Sequence, residues 1–463
     1  MPPTMSTPLR GNPIAAPPTT STLWAYALPG LPLAALTLPV YIFVPAYYGE
    51  LGVPLALIGY ALLAVRLLDA VTDPLIGFLS DRLPLPYGRR KPWLVVGIVP
   101  TLLAVWMVFV PPAAPGIGYL LGWSAVLSIG WTLIILPYTA WGAELAEDYD
   151  GRTAVTGHRE GLVVVGTLLA TATPAVLDAL GIGGLTQSLR VLAVALIILL
   201  PLATAVCLWR VPAPRNYSVQ RVRLREGLAA IRHNKAFARL IAAFLINGWA
   251  NGLPASLFVL YVTHVLVAPQ MVGTLLFVYF LAGMVAIPGW LWLARRWNKH
   301  QAWVTSMLLA CVTFIWVPFL GAGDVMLFAL ICVVSGFAVG GDLILPGAIQ
   351  ADVVDVDTAQ TGEQRTGLYF AMWSLATKLS LALAAGIAFP LLALFGFQAD
   401  TAPGPESANG SGSLFAVSML YAGLPVILKL PALVLMWNFP LSRDVQARLR
   451  AKIAGAAPSS GDA

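Results

Sequence analysis

Apolar residues in this chain neither alternate with polar ones at the period of a half-buried strand nor leave a polar face at the period of a surface helix. They run almost unbroken for some twenty residues at a time, separated by short polar segments. A helix needs about 20 mostly apolar residues to cross the hydrocarbon core of a bilayer. By that measure the pattern predicts twelve spans, near 23–49, 54–80, 92–111, 118–146, 160–181, 188–210, 238–264, 270–294, 302–320, 325–350, 367–396 and 413–439. Residues 1–22 are rich in Pro, Thr and Ala with a single Arg, and are expected to form a disordered cytoplasmic arm.

Composition agrees and removes one large class. Of the 463 residues, 59% are apolar and 10% charged, against about 45–50% and about 25% in soluble domains. So little charge does not cover a water-facing surface. Placing the Lys and Arg residues then orients the chain, because cytoplasmic loops are selectively basic. With the N-terminus inside, the cytoplasmic segments carry 23 of the 27 basic residues, eight of them in 210–239. Both termini are therefore expected in the cytoplasm, and the net charge of +6 has a membrane explanation before a nucleic-acid one. Cys207, Cys311 and Cys332 all lie in apolar runs, so no disulfide framework is indicated.

The longest basic linker, 211–237, falls between spans six and seven, dividing the chain into a bundle at 23–210, a bundle at 238–440 and a tail at 441–463. The two bundles echo each other. Pro74-Leu-Ile-Gly77 and the basic run Gly88-Arg-Arg-Lys-Pro-Trp93 have their counterpart in Ile287-Pro-Gly-Trp290 and Arg295 to Trp303. Spans four and ten both end in acidic clusters followed by an Arg-Thr pair. The expected fold is all-α and polytopic: a major facilitator fold of twelve helices in two six-helix halves, with a solute site at the midplane between them.

Charges inside spans are costly and are functional candidates by default. Span two holds Arg66, Asp69 and Asp73. The two carboxylates are one turn apart on one face, and Arg66 shares it. Two such carboxylates repel unless a cation or proton lies between them. Thr72 adds a hydroxyl of the kind hard cations accept, and Pro74 frees the Ala70 carbonyl. The alternative is a neutral Arg66–Asp69 bridge with Asp73 facing a water-filled mouth. Lys378 lies deep in span eleven, placed either to neutralise the span-two acids or to bind an anionic or polar solute. Lys429 is a lesser candidate, as is Asp342. Trp131, Tyr138, Tyr369 and Trp373 offer faces for a sugar ring or another flat apolar group. Asn247 and Asn251, four apart in span seven, suit either solute hydrogen bonds or interhelical ties. Phosphate loops and Cys/His metal spacings are absent from the sequence, so an enzyme is not expected, nor any cofactor or metal beyond a coupling cation. A non-transporting receptor or scaffold on the same fold is the alternative of another class, but it gives no reason for charges in lipid.

Arg66-x-x-Asp69-x-x-Thr72-Asp73-Pro74-x-x-Gly77-x-x-Ser80-Asp81-Arg82, followed by Gly88 to Trp93, closely resembles the glycoside–pentoside–hexuronide:cation symporter family, the melibiose-permease group. Pro137-Tyr138 leading to Glu144 and Asp148, then Asp352-Val-Val-Asp355 leading to Arg365, Gly367 and Lys378, agree in order and spacing. The resemblance implies a symporter coupled to Na⁺, Li⁺ or H⁺, working by alternating access in a bacterial inner membrane. It implies a cation site of Asp69, Asp73, Thr72 and Thr132, with Arg159 and Lys378 at the solute. It further implies a cytoplasmic gate where Arg66, Asp81, Arg82, Asp352, Asp355 and Arg365 exchange partners.

The chain departs from that pattern at two points. Galactoside carriers of the family bind sugar hydroxyls with an acid in span one and another in span four. Here span one has none before Glu50, and the span-four position is Ile135. Cationic donors without those acceptors suit a glycoside or hexuronide-like solute carrying negative charge, with an amphiphilic or lysolipid-like anion as the alternative. The expected partners are the solute, the coupling cation and the bilayer, with no nucleic acid, and the protein is expected to be a monomer.

Overall fold

The computed structural model describes residues 19–82, 90–145, 149–212, 234–361, 366–402, 404, 409–441 and 445. Among them are twelve membrane-length helices and no strand. These are α1 (Thr20–Glu50), α2 (Leu55–Gly77), α3 (Lys91–Phe109), α4 (Ile117–Gly142), α5 (Ala154–Ala179), α6 (Leu185–Arg210), α7 (Lys235–Val265), α8 (Pro269–Arg296), α9 (Lys299–Phe319), α10 (Val325–Val354), α11 (Met372–Leu394) and α12 (Ser411–Trp437). Helices are what such runs must form, since hydrocarbon offers the backbone no other hydrogen-bond partners. Several continue beyond the apolar window: α2 to Arg82, α4 to Glu144, α10 to Thr361, while α5 begins at Tyr149 and α11 at Thr366. The start of α5 lies well before the predicted 160, because its first turns are polar and a hydropathy window passes over them. Two helices of the second half carry side-chain caps at their N-termini. The Asn234 side chain accepts from the Phe237 amide at 3.0 Å, and Asn298 with Gln301 closes a capping box on α9.

Packing repeats across the two halves. In the first, α4 packs on α2 and α3, α1 on α5 and α6, and α3 on α6; in the second, α10 packs on α8 and α9, α7 on α11 and α12, and α9 on α12. The contacts between halves pair up in the same way: α2 with α11, α5 with α8, and α1 with α7. Small residues permit the tightest approaches. A Cβ at Gly340 on α10 would fall on the Gly283 carbonyl of α8, and one at Gly336 on the Tyr279 carbonyl.

The buried apolar residues form one shared core and two separate ones. The shared core draws on both halves, from Leu36, Phe43 and Ile58 to Leu257, Leu275 and Phe389. It lies at the end of the molecule away from the basic loops. At the basic end, Tyr26, Leu94, Tyr138 and Leu200 form a core within the first half, and Phe237, Trp303, Val353 and Met436 form another within the second. Among the described residues, the halves thus share a core at one end and keep separate cores at the other.

Candidate functional site

The charged residues of α2 lie where α2 meets both α4 and α11. Asp69 and Asp73 face α4, which presents Ser128 and Thr132 at the same four-residue spacing. This makes two rungs: Ser128 Oγ donates to Asp69 Oδ1, and Thr132 Oγ1 donates to Asp73 Oδ1 at 3.0 Å. Arg66 Nη1 lies 2.6 Å from Asp69 Oδ2, and its guanidinium stands 5.0 Å over the Tyr41 ring of α1. From the other half, Lys378 Nζ bonds Asp73 Oδ2, lies 3.7 Å from Asp69 Oδ2 and stands 5.6 Å from the Trp131 ring centre. Asp69 is fully buried, while the Asp73 and Lys378 side chains retain 19% and 15% exposure. Two acids thus meet two bases in a neutral set of four, and the open edge of that set is Asp73.

Oxygen donors dominate this cluster. Four carboxylate oxygens and the Ser128 and Thr132 hydroxyls converge, a donor set that fits a hard monovalent cation. The Thr72 hydroxyl, by contrast, is buried without a hydrogen-bond partner among the described residues. Sequence reasoning missed Ser128. The signal was available: Ser128 and Thr132 repeat on α4 the spacing of Asp69 and Asp73 on α2.

The other sequence-derived candidates divide. Trp131 lies beneath Lys378, its indole N–H buried and unpartnered among the described residues. Trp373 is partly exposed and stacks on Phe244, ring centres 3.7 Å apart. Arg159 projects beside Gly30 of α1 and pairs with its neighbour Glu160 at 2.6 Å. Tyr138 is fully buried, stacked on Tyr26 at 4.7 Å, and each hydroxyl donates to the other residue's carbonyl. Tyr369 is buried edge-on to Phe237, and its hydroxyl accepts from Asn234 at 3.3 Å. These two tyrosines are not brought to the α2–α11 cluster. Asn247 and Asn251 turn into the second half, where both amide oxygens accept from Lys429, at 2.6 and 2.7 Å. Asp352 holds Lys299 in a two-pronged contact of 2.7 and 2.8 Å, joining α10 to α9 at the basic end. Arg365 and the side chains of Asp81, Arg82 and Asp355 lie outside the described residues. Cys207, Cys311 and Cys332 are free, buried thiols.

Two pseudo-symmetric six-helix halves that share an apolar core at one end, with a buried charge cluster to which both contribute, are the architecture of a membrane transporter. Comparison with known proteins sharpens this. The model of the family described as MFS/sugar transport protein matches residues 25–443, and the chain belongs to that family. It is a cation-coupled symporter built as a multi-pass membrane protein. It is similar to sodium-dependent lysophosphatidylcholine symporter 1 of Xenopus tropicalis, 23% identical over 420 residues, covering 82% of this chain and 79% of that one. It is also similar to the inner membrane symporter YicJ of Escherichia coli, 25% identical over 408 residues, covering 84% of each. In fold it resembles a bacterial homologue of the human lysosomal transporter Spinster, solved inward-facing, with a TM-score of 0.64 at 13% identity over 94% of this chain and 97% of that one. The nucleoside transporter NupG gives the same score at 12% identity, over 91% of this chain and all of that one.

Proposed function

We propose that Asp69 and Asp73, with Ser128 and Thr132, bind the coupling cation, and that Lys378 balances their charge when the cation is absent. One observation carries this reading: the Lys378 ammonium rests on Asp73 at the open edge of the cluster. Na⁺, Li⁺ or a proton arriving there takes over that role one charge for one. The exchange matters because stripping one partner from a buried charge pair costs about 3–5 kcal/mol, more than a hundredfold in an equilibrium constant. Lys378 leaves the acids only when a cation replaces it and a new anion receives it. That double condition is coupling.

The solute that meets it carries a negative group, which Lys378 accepts beside the Trp131 indole, with Trp373 and Arg159 further towards the basic end. A hexuronide-like glycoside fits this chemistry, and the absence of acids from α1 before Glu50 and at Ile135 disfavours a neutral sugar. The lysolipid alternative is supported by the names of relatives, whose phosphate is also an anion. On this reading the basic end is cytoplasmic, the membrane is a bacterial inner membrane, and the conformation described is inward-facing. Asp352 and Lys299 hold α10 against α9 at the open gate.

The test is uptake into vesicles containing the purified protein, with methyl glucuronide, methyl galactoside and lysophosphatidylcholine as probes under Na⁺, Li⁺ and acid gradients. An anionic probe is expected to enter with a cation, and Asp69→Asn and Asp73→Asn are expected to abolish that dependence while the protein elutes as a folded species. Unchanged cation stimulation in both variants would contradict the assignment.

A further inference from the structure

The second half encloses a charge cluster that the α2 site does not use. Lys429 of α12 is 4% exposed. Its ammonium donates to Asn247 Oδ1 and Asn251 Oδ1 of α7, yet stands 3.5 Å from Asp342 Oδ2 of α10. Asp342 accepts from Asn251 Nδ2 at 2.9 Å and from Trp303 Nε1 of α9 at 2.5 Å. The lysine therefore makes its short hydrogen bonds to neutral amides and pairs with the carboxylate at the longer distance, where the acid keeps lone pairs to spare.

Those lone pairs face water-sized space. A cavity of about 30 Å³ is lined by Asn251, Tyr279, Ser335, Asp342 and Lys429, among others. One water needs about 10–15 Å³ of occupied volume, so the cavity has room for water beside the carboxylate, which is sufficient to deliver a proton. Among the described residues, the titratable groups facing Asp342 are Tyr279 from α8, Cys311 from α9 and Lys429 from α12, while α7 presents the Asn251 amide.

We propose that Asp342 is a reversible proton-binding site of the second half, separate from the cation site on α2. The Asp342 carboxylate takes a proton from a cavity water carrying an excess proton and becomes a carboxylic acid, leaving neutral water. Lys429 keeps its own proton on the Asn oxygens, so the cluster gains one positive charge, and release reverses the step. Because α7 also packs on α1 and α11, Asn247 and Asn251 tie this charge change to the helices that line the contact between halves.

Infrared difference spectroscopy on the full chain in lipid membranes tests this without a transported solute. On acidification, wild type minus Asp342→Asn is expected to show the C=O band of one protonated carboxyl. The band should persist in Asp69→Asn and Asp73→Asn, which separates this proposal from the α2 assignment. It should also shift in frequency in Asn251→Leu and Trp303→Phe, each of which removes one donor to Asp342. A difference spectrum with no carboxyl band would overturn the proposal. Should Asp342→Asn not be recoverable as folded protein, an acid-induced band that does not move in either donor variant would do the same.

Discussion

Single residues in this protein take their meaning from partners on other helices. Lys429 has only Gly, Pro and aliphatic neighbours along the chain, which is why its role was not legible from sequence; three oxygens from α7 and α10 surround it in the fold. Lys429→Ala leaves Asp342 buried without its ammonium and the Asn247 and Asn251 amide oxygens without their donor, and a loss of about 3–5 kcal/mol is expected. The measurement is thermal unfolding in detergent, where the variant should melt well below wild type whether or not Na⁺ is present. Tyr138 teaches the reverse lesson. An aromatic in a charged span looked available to a solute, but its ring and hydroxyl are both consumed in tying α4 to Tyr26 of α1. Asp69 and Asp73 were legible because their spacing carries a conflict of charge that only a cation, a proton or a base relieves.

At the scale of the helix, the sequence indicates twelve spans and their order, because in lipid hydrophobicity and length decide almost everything. It is less informative about ends. The early start of α5 hides in a polar, amphipathic turn, and its extra length is what carries Arg159 beside Gly30 of α1. Nor does hydropathy say which helices approach most closely; that is decided by small residues. Gly340 allows the α8 backbone to lie against α10, so Gly340→Leu is expected to force the two apart at a cost of about 1–3 kcal/mol or more, as overpacking a tight contact does. A lower melting temperature, with Gly289→Leu near wild type because no atom stands within 4 Å of a Cβ there, would check it.

The whole molecule is a pair of six-helix halves with an uneven joint. The internal echo in the sequence foretold the pairing of halves, but not which end is closed, because closure depends on packing between helices far apart in the chain. The seal is made symmetrically. A Cβ at Gly59 on α2 would stand 2.8 Å from the Ala385 carbonyl of α11, and one at Gly273 on α8 would fall on the Ala175 backbone of α5. A wedge at either point, such as Gly273→Trp, is expected to part the sealed end. Spin labels at Gly52 and Gln398 should then report a longer distance than in the parent protein. The central claim remains the exchange of Lys378 for a cation at Asp73, and Na⁺ titration of purified wild type, Asp73→Asn and Lys378→Gln, read by thermal stabilisation, tests it most directly. The account predicts saturable stabilisation in wild type, none in Asp73→Asn, and binding tighter by about tenfold or more, about 1.4 kcal/mol, in Lys378→Gln, where no tethered ammonium competes. Equal Na⁺ affinity in wild type and Lys378→Gln, or saturable binding that survives Asp73→Asn, would contradict it.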